Sequence, residues 1–515
     1  QPILLASNDS WASHLESLPK VEKQLSPEPL LLAQAGNLPT NADLAETIDV
    51  QLTPAIRAKA AELNHSPVKI YNWVRNNVEY VPTYGSIQGA DMCLQTLQGN
   101  DFDIASLLIA LLRASNIHAR YAYGVIELPI DKVMNWVGGF TNANAAVQFI
   151  ASGGTPVVGL ISGGKIVAAR MEHVWVEAYI NYYPLRGAAH KTGRGDTWIP
   201  LDASYKQYEY KTGVDLYAQM SFNADQFLQQ FVIDTNDLMA YQDYGRRLVE
   251  FVDNNYPDAS IEDVFGAEDI KLARSIIKQE FTYLLGTLPY RKYFRALNFS
   301  SIPTTYSQNI TIQIAGNAFD EFNGLNYSGA LNYLAGKRIT VPYEPASAAD
   351  EATIAQYGGD LLSVPPYLIN VKPVLKIDGV VVAYGAQVGL GTDQNVVIIF
   401  SGNEGTIDRI QHTISAGVYA AFVIQSGETA ISLVGENMSK LIENTINVNE
   451  QGVTLDDVLG QLLHAIGVSY FQKLSFENEI YAKTLKLLNI RKPSEAMIMR
   501  DVKITYLFGL PRGSA

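Results

Sequence analysis

Four side chains in the first 210 residues carry reactive chemistry: the thiol of Cys93, the carboxylates of Asp101 and Asp202, and the imidazole of His173. A thiol, an imidazole and a carboxylate can form a nucleophile, its base and the group that orients the base, if folding brings them together. Cys93 is the only cysteine of the chain, so sulfur can come from nowhere else. It stands eight positions before Asp101, which opens the stretch that reads as a buried helix.

The elements that must position these groups are legible. GNDFDIASLLIALLRASNIHARYAYG, residues 99–124, reads as a tight turn, a helix apolar nearly all round, and a strand. Asn116 can end the helix in the left-handed conformation. EHVWVEAYI alternates as a strand, with His173, Trp175, Glu177 and Tyr179 on one face. TWIPLDAS is another strand, leading out to Asp202. Upstream, AIRAKAAELN is a helix that Asn64 can end. Ser66 and Pro67 form the N-cap and first-turn pair of the helix VKIYNWVRNN. EYVPTYGSIQGADM, with its Pro and two Gly, is expected to be a loop. NWVGG, the helical NANAAVQFIAS and the Gly-rich turns after it suggest an insertion or lid between two core strands.

The rest divides by pattern. Residues 1–58 form an N-terminal arm, 59–212 the core, 213–295 a helical connector, and 296–515 a β-rich domain with two late helices. The connector reads as helices at ADQFLQQFVIDTNDLMAYQDY and EDIKLARSIIKQEFTYLL. The last domain contains the hairpin YLINVKPVLKIDGVVVAYG, with an Asp378-Gly379 turn.

Composition bounds the function. The chain has 515 residues, enough for two to four domains, and a net charge of −14. That charge argues against a nucleic-acid partner, which needs a basic face. One cysteine excludes an internal disulfide framework and a Cys-based zinc site. No apolar run reaches a membrane span. The acidic residues lack EF-hand spacing, His412 and His464 stand alone, and no phosphate-cradling loop is present, so no metal and no cofactor is expected. The start, QPILLASNDSW, lacks a basic segment followed by an apolar one. A signal peptide already removed, or a fragment, is expected, and the chain is expected to continue past residue 515.

GNDFDIASLLIALLRASNIHARYAYG, HVWVEAYI and WIPLDAS together resemble a bacterial transglutaminase-like core. The usual pattern there is G-x-C-x-D-x-A, an apolar helix ending in Leu-Arg, a strand with Ala-Arg-Tyr, then a His strand and an Asp strand. The match covers about residues 65–210. The long form, with NWVGG, an inserted segment and a β-rich C-terminal part, is similar to modules that precede YD-repeat or Rhs-type regions in large secreted bacterial proteins. The resemblance implies an α+β fold with a papain-like transglutaminase core. It also implies a secreted, periplasmic or cell-surface location, to which the many Tyr and few Lys and Arg are compositionally suited. The implied activity is acyl transfer on protein or peptide amides: a thiolate attacks, His relays the proton, and Asp orients the imidazole. A helix N-terminus behind the thiol would lower its pKa and bind the oxyanion.

By residue-by-residue carry-over, His173 corresponds to the family base, Asp202 to its orienter, and Asp101 to the nucleophile. Three readings are open. Cys93 replaces the usual nucleophile, if the loop from Tyr84 to Asn100 folds back over the helix start. The domain is catalytically degenerate, with Asp101 or Asp103 a helix N-cap and Cys93 a small buried hydrophobe; it then binds protein or glycan chains, or scaffolds a larger polypeptide. Or Asp101 serves as a carboxylate in another hydrolysis, with Glu177 the nearest second acid. Asp101 and Trp175 are expected to line the cleft, and Trp136 to sit on a lid. Arg120 is expected to pair with a core carboxylate such as Asp103. Oligomeric state is not legible.

Overall fold

The computed structural model describes residues 38–181, 195–210, 219–220, 223, 225–227, 229, 240–257, 274–293, 297–316, 324–402, 405–426, 429, 431–449, 452–487 and 502–507. Most of the expected N-terminal arm and the first connector helix lies outside them.

The core is assembled in chain order. α1 (Pro54–Glu62) and α2 (Pro67–Asn77) each start on a proline at the first helical position, behind Thr53 and Ser66. Asn64 and His65 take positive φ between them and reverse the chain. β1 (Glu79–Tyr80) is followed by α3 (Gly89–Thr96), β2 (Gln98–Gly99) and α4 (Asp101–Ala114). β3 (Ala119–Pro129), α5 (Ile130–Gly138), α6 (Ala143–Ser152), β4 (Val157–Ser162), β5 (Lys165–Ile180) and β6 (Thr197–Leu201) complete it. Every residue of α4 from Asp101 to Arg113 is buried, as its all-round apolar pattern requires. Asn116 takes φ 58° behind it. One cluster gathers α4 with apolar residues of α1, α2, α3, α5, α6 and the sheet.

That sheet has the order β10-β3-β5-β4, where β10 is Leu297–Phe299; β6 pairs with β5, and β9 (Arg291–Lys292) with β3. The β3–β5 register sets Gly124 opposite His173 and Ala122 opposite Trp175. Two of its strands, β9 and β10, come from residues far beyond the core.

Two expectations are corrected. The segment expected to be a loop before α4 contains helix α3. Asp103 builds it: its Oδ1 accepts the backbone N–H groups of Ile87, Gln88 and Gly89, each at 3.1 Å, at the helix start. Sequence pattern alone missed this because the capping carboxylate comes from the next helix. In the connector, α7 (Ala240–Asn255) is helical. EDIKLARSIIKQEFTYLL, however, is not helical over its described part. β8 (Arg274–Ile276) pairs with β7 (Tyr208–Tyr210), and residues 277–290 run as an irregular strap. The side chains of Asn72 and Asn76, four apart on α2, each bond both ways to that backbone, at Phe281 and Gln279. They imitate the alternate pairing of a strand ladder, so tertiary contacts override helix propensity.

The β-rich part holds a four-stranded sheet, β12-β11-β18-β19, from Leu325–Ala330, Asn309–Ile314, Asp393–Gly402 and Gly405–Ser415. Between these come α8 (Leu331–Leu334), β13 (Ile339–Val341), β14 (Tyr343–Pro345), α9 (Ala348–Gln356), β15 (Asn370–Ile377), β16 (Val380–Tyr384) and β17 (Val388–Gly389). β20 (Ala420–Ser426) and β21 (Val502–Leu507) join β13–β17 in a seven-stranded sheet. The β15–β16 hairpin turns on Asp378 and Gly379, both with positive φ, as its Asp-Gly signal predicts. Two helices, α10 (Ile431–Ile446) and α11 (Leu455–Leu487), cover that sheet.

Candidate functional site

Asp101 is the first residue of α4. The N-cap is neither Asp101 nor Asp103 but Asn100, whose side-chain oxygen accepts the Asp103 N–H at 2.9 Å. Asn100 is itself held by its amide, which donates to the Gly85 carbonyl at 2.7 Å and Thr83 Oγ1 at 3.2 Å. Asp101 is thereby free to turn toward β5. Its Oδ2 accepts the Val174 N–H at 2.9 Å and lies 3.1 Å from His173 Nδ1. That second approach is off the N–H axis, so it is an ion-pair contact rather than an aligned hydrogen bond. The positive end of α4 favours a carboxylate here.

On the other side of the ring, His173 Nε2 is 2.9 Å from Asp202 Oδ2. Asp202 closes β6 and is saturated. Its Oδ1 accepts the Ser204 hydroxyl at 2.6 Å and the N–H groups of Ser204 and Tyr205 at 2.8 and 3.2 Å. The hydroxyl of Tyr290 donates to Oδ2 at 2.7 Å, and that of Tyr71 to the Asp202 carbonyl at 2.9 Å. Ser204 Oγ also lies 3.2 Å from His173 Nε2. Two aromatic edges flank the imidazole, Trp136 with a centroid separation of 5.4 Å and Tyr290 at 5.7 Å. The indole of Trp136 donates to the Ser204 carbonyl at 3.0 Å.

The electrostatics follow. Burial alone would push the His173 pKa down, but Asp202 and Asp101 hold it up to about 9. Burial would raise Asp202, but the imidazolium and its hydrogen bonds hold it down to about 2. The ring is therefore a cation between two acidic groups at neutral pH. A general base needs a free lone pair near neutrality; here each nitrogen faces a carboxylate, and the nearby Ser204 hydroxyl donates to Asp202.

Cys93 lies on α3, fully buried, with its side of the helix against Gly99; a Cβ built on that glycine would meet the sulfur at 3.1 Å. Burial pushes its thiol well up, and Asp103 adds to the effect, opposed by Lys206. The groups about the imidazole are Asp101, Asp202, Ser204, Trp136 and Tyr290, and the sulfur is not among them. Lys206 is also fully buried and donates to the Val78 carbonyl; burial lowers its amine to about 7.

Trp175, expected to wall a cleft, is buried two residues along β5 from His173. Trp136, expected on a lid, is fully buried against the imidazole and stacked on Tyr80. Arg120 pairs not with Asp103 but with Glu177, at 3.0 and 2.8 Å, and lies over the Trp198 ring. This engages the acid expected as a second carboxyl for Asp101. Ser204 and Tyr290 were missed. Ser204 had a local signal, since Asp202-Ala203-Ser204 is a side-chain turn sequence; Tyr290, 88 residues from Asp202, had none. Among the described residues no group of His, Cys, Asp and Glu is arranged to hold a metal ion. No described helix is long and apolar enough to cross a membrane.

Residues 50–203 match the family model of the transglutaminase-like superfamily. No match was found among curated proteins or solved structures. The chain thus contains a transglutaminase-like superfamily domain, and the whole is a mixture of helix and strand.

Proposed function

We propose that this transglutaminase-like domain is catalytically silent and serves as a scaffold within a larger polypeptide. One observation carries the reading: where the family pattern has a thiol at the helix start, Asp101 stands 3.1 Å from the imidazole and turns the relay into a buried Asp–His–Asp ion cluster. A thiol there would be deprotonated by the ring; a carboxylate instead keeps the ring protonated. The sheet is finished by β9 and β10, so the domain is built into the rest of the chain rather than open on that edge.

The acyltransferase or protease reading, with Cys93, His173 and Asp202 acting on protein amides, requires the sulfur to leave its burial in the apolar cluster and meet the imidazole. Hydrolysis through Asp101 requires a second acid, and Glu177 is engaged by Arg120.

Thiol chemistry separates these readings. Cys93 is expected to resist iodoacetamide in the native protein near neutral pH and to react on unfolding, at the same rate in His173→Ala as in the parent. Native alkylation faster than that of an ordinary free thiol, slowed by His173→Ala, would overturn the proposal.

A further inference from the structure

Among the described residues, the outer face of the α10–α11 pair is apolar and exposed. On α11 the side chains of Leu455, Leu459, Leu462, Ile466 and Tyr470 recur at spacings of four, three, four and four and are between 39% and 63% exposed. On α10 Met438, Ile442 and Ile446 recur every four residues, 43% to 72% exposed. The opposite faces do the ordinary work of burial: Leu433 and Asn437 on α10, and Gln461, Ala465, Val468 and Phe471 on α11. Gln461 donates to the Asn437 carbonyl and side-chain oxygen, both at 3.1 Å, and so fixes the two helices against each other. Ion pairs of Lys376 with Asp456 and Arg338 with Asp457 fix the start of α11 to the sheet below. The exposed stripes are therefore rigidly mounted.

We infer that this face pairs with the same face of a second copy of the chain, closing a four-helix bundle about a two-fold axis. A helix pair whose apolar stripes lie opposite its buried face is half of such a bundle, and a two-fold interface needs only one self-complementary patch. Eight large side chains, each about half exposed, leave on the order of several hundred Å², approaching the ~800 Å² per partner of a stable interface and at the upper limit of what a monomer exposes. Charge selects the same surface. A chain of net charge −14 repels its copies. Yet α11 has no Asp, Glu, Lys or Arg from residue 458 to 472, Asp456 and Asp457 are neutralised by their partners, and on α10 Glu436 is paired with Lys440, which leaves Glu443 as its one further charge. With so few basic residues on the face, an anionic lipid surface fits it poorly.

Sedimentation velocity of the 515-residue chain tests it. The parent is expected to run as a dimer that dissociates on dilution, and the double variant Ile442→Glu/Ile466→Glu as a monomer with unchanged circular dichroism. Because both positions are exposed, the fold survives the substitutions; Leu459→Gln, less severe, is expected to raise the dimer dissociation constant at least tenfold. A parent that stays monomeric up to about 100 μM, as it would if another part of the chain or a different protein covers the face, overturns the inference. So does a double variant that remains dimeric.

Discussion

Asp101 changes what His173 is. With a carboxylate on each nitrogen the imidazole is a structural cation, and its worth is electrostatic. The His173 pKa is raised from 6.5 to about 9. The stabilisation is therefore fully present below pH 6.5 and lost as pH rises through 9; at about 1.4 kcal/mol per unit it is worth ~3 kcal/mol. The depressed Asp202 reports the same interaction from the other partner and does not add to it. His173→Gln is expected to cost about 3 kcal/mol of unfolding free energy at pH 6, and a decreasing amount as pH approaches 9. A cost in urea melts that is flat with pH, or below about 1 kcal/mol at pH 6, would show that the ring is not a buried cation. Cys93, on the same scale, behaves as a small apolar residue packed on Gly99.

At the scale of elements, the site depends on two pieces that do not look like scaffolding in sequence. Helix α3 exists because Asp103 caps it from the neighbouring helix, and that cap carries Cys93 into the core. The strap of residues 277–290 is held by Asn72 and Asn76 and delivers Tyr290 onto Asp202 and against the imidazole. The four bonds that Asn72 and Asn76 make to its backbone are each worth about 1 kcal/mol. Asn72→Ala/Asn76→Ala is expected to speed amide exchange across 277–290 by at least tenfold and to open that segment to proteases, while exchange in α4 stays slow. Unchanged exchange in the strap would mean that the apolar contacts of Phe281 and Leu284 suffice to hold it.

At the scale of the whole molecule, the two halves are interlocked. β9 and β10 extend the core sheet, and Asn332 donates to Asp49 and Ser86 in a buried cluster. Met92 of α3 packs with Ala335, Val423, Leu433, Val468 and Phe471 of the later domain. Near that contact His464 of α11 is buried beside the Gly336 backbone, its Nδ1 unpartnered. Burial lowers its pKa to about 4, with Asp378 opposing and Arg338 and Lys440 assisting. A histidine kept neutral costs stability once pH falls below 6.5, up to ~3 kcal/mol at pH 4. Exchange in α10 and α11, corrected for intrinsic rates, is expected to accelerate from pH 6.5 to 4 in the parent and to lose that acceleration in His464→Leu. If both proteins show the same acid dependence, His464 is not the group responsible.

How much of this was legible follows from where the information lies. Local pattern determined α4, β3, β5 and β6 and the Asp-Gly hairpin, because helix and strand periodicity, Asn116 and a two-residue turn are encoded within a few residues. The sequence also determined that Asp101 stands where the family pattern puts a thiol. It could not determine that α3 replaces a loop, that 277–290 is a strap rather than a helix, or that Tyr290 reaches Asp202. Each of those depends on a polar group paired across a long separation, and burial makes such pairing obligatory only once the chain has folded. The sequence named the three groups of the ion cluster. Only the tertiary structure decided that both nitrogens of one imidazole face carboxyl groups, because desolvation and mutual charge set the protonation of His173 and neither exists in the unfolded chain.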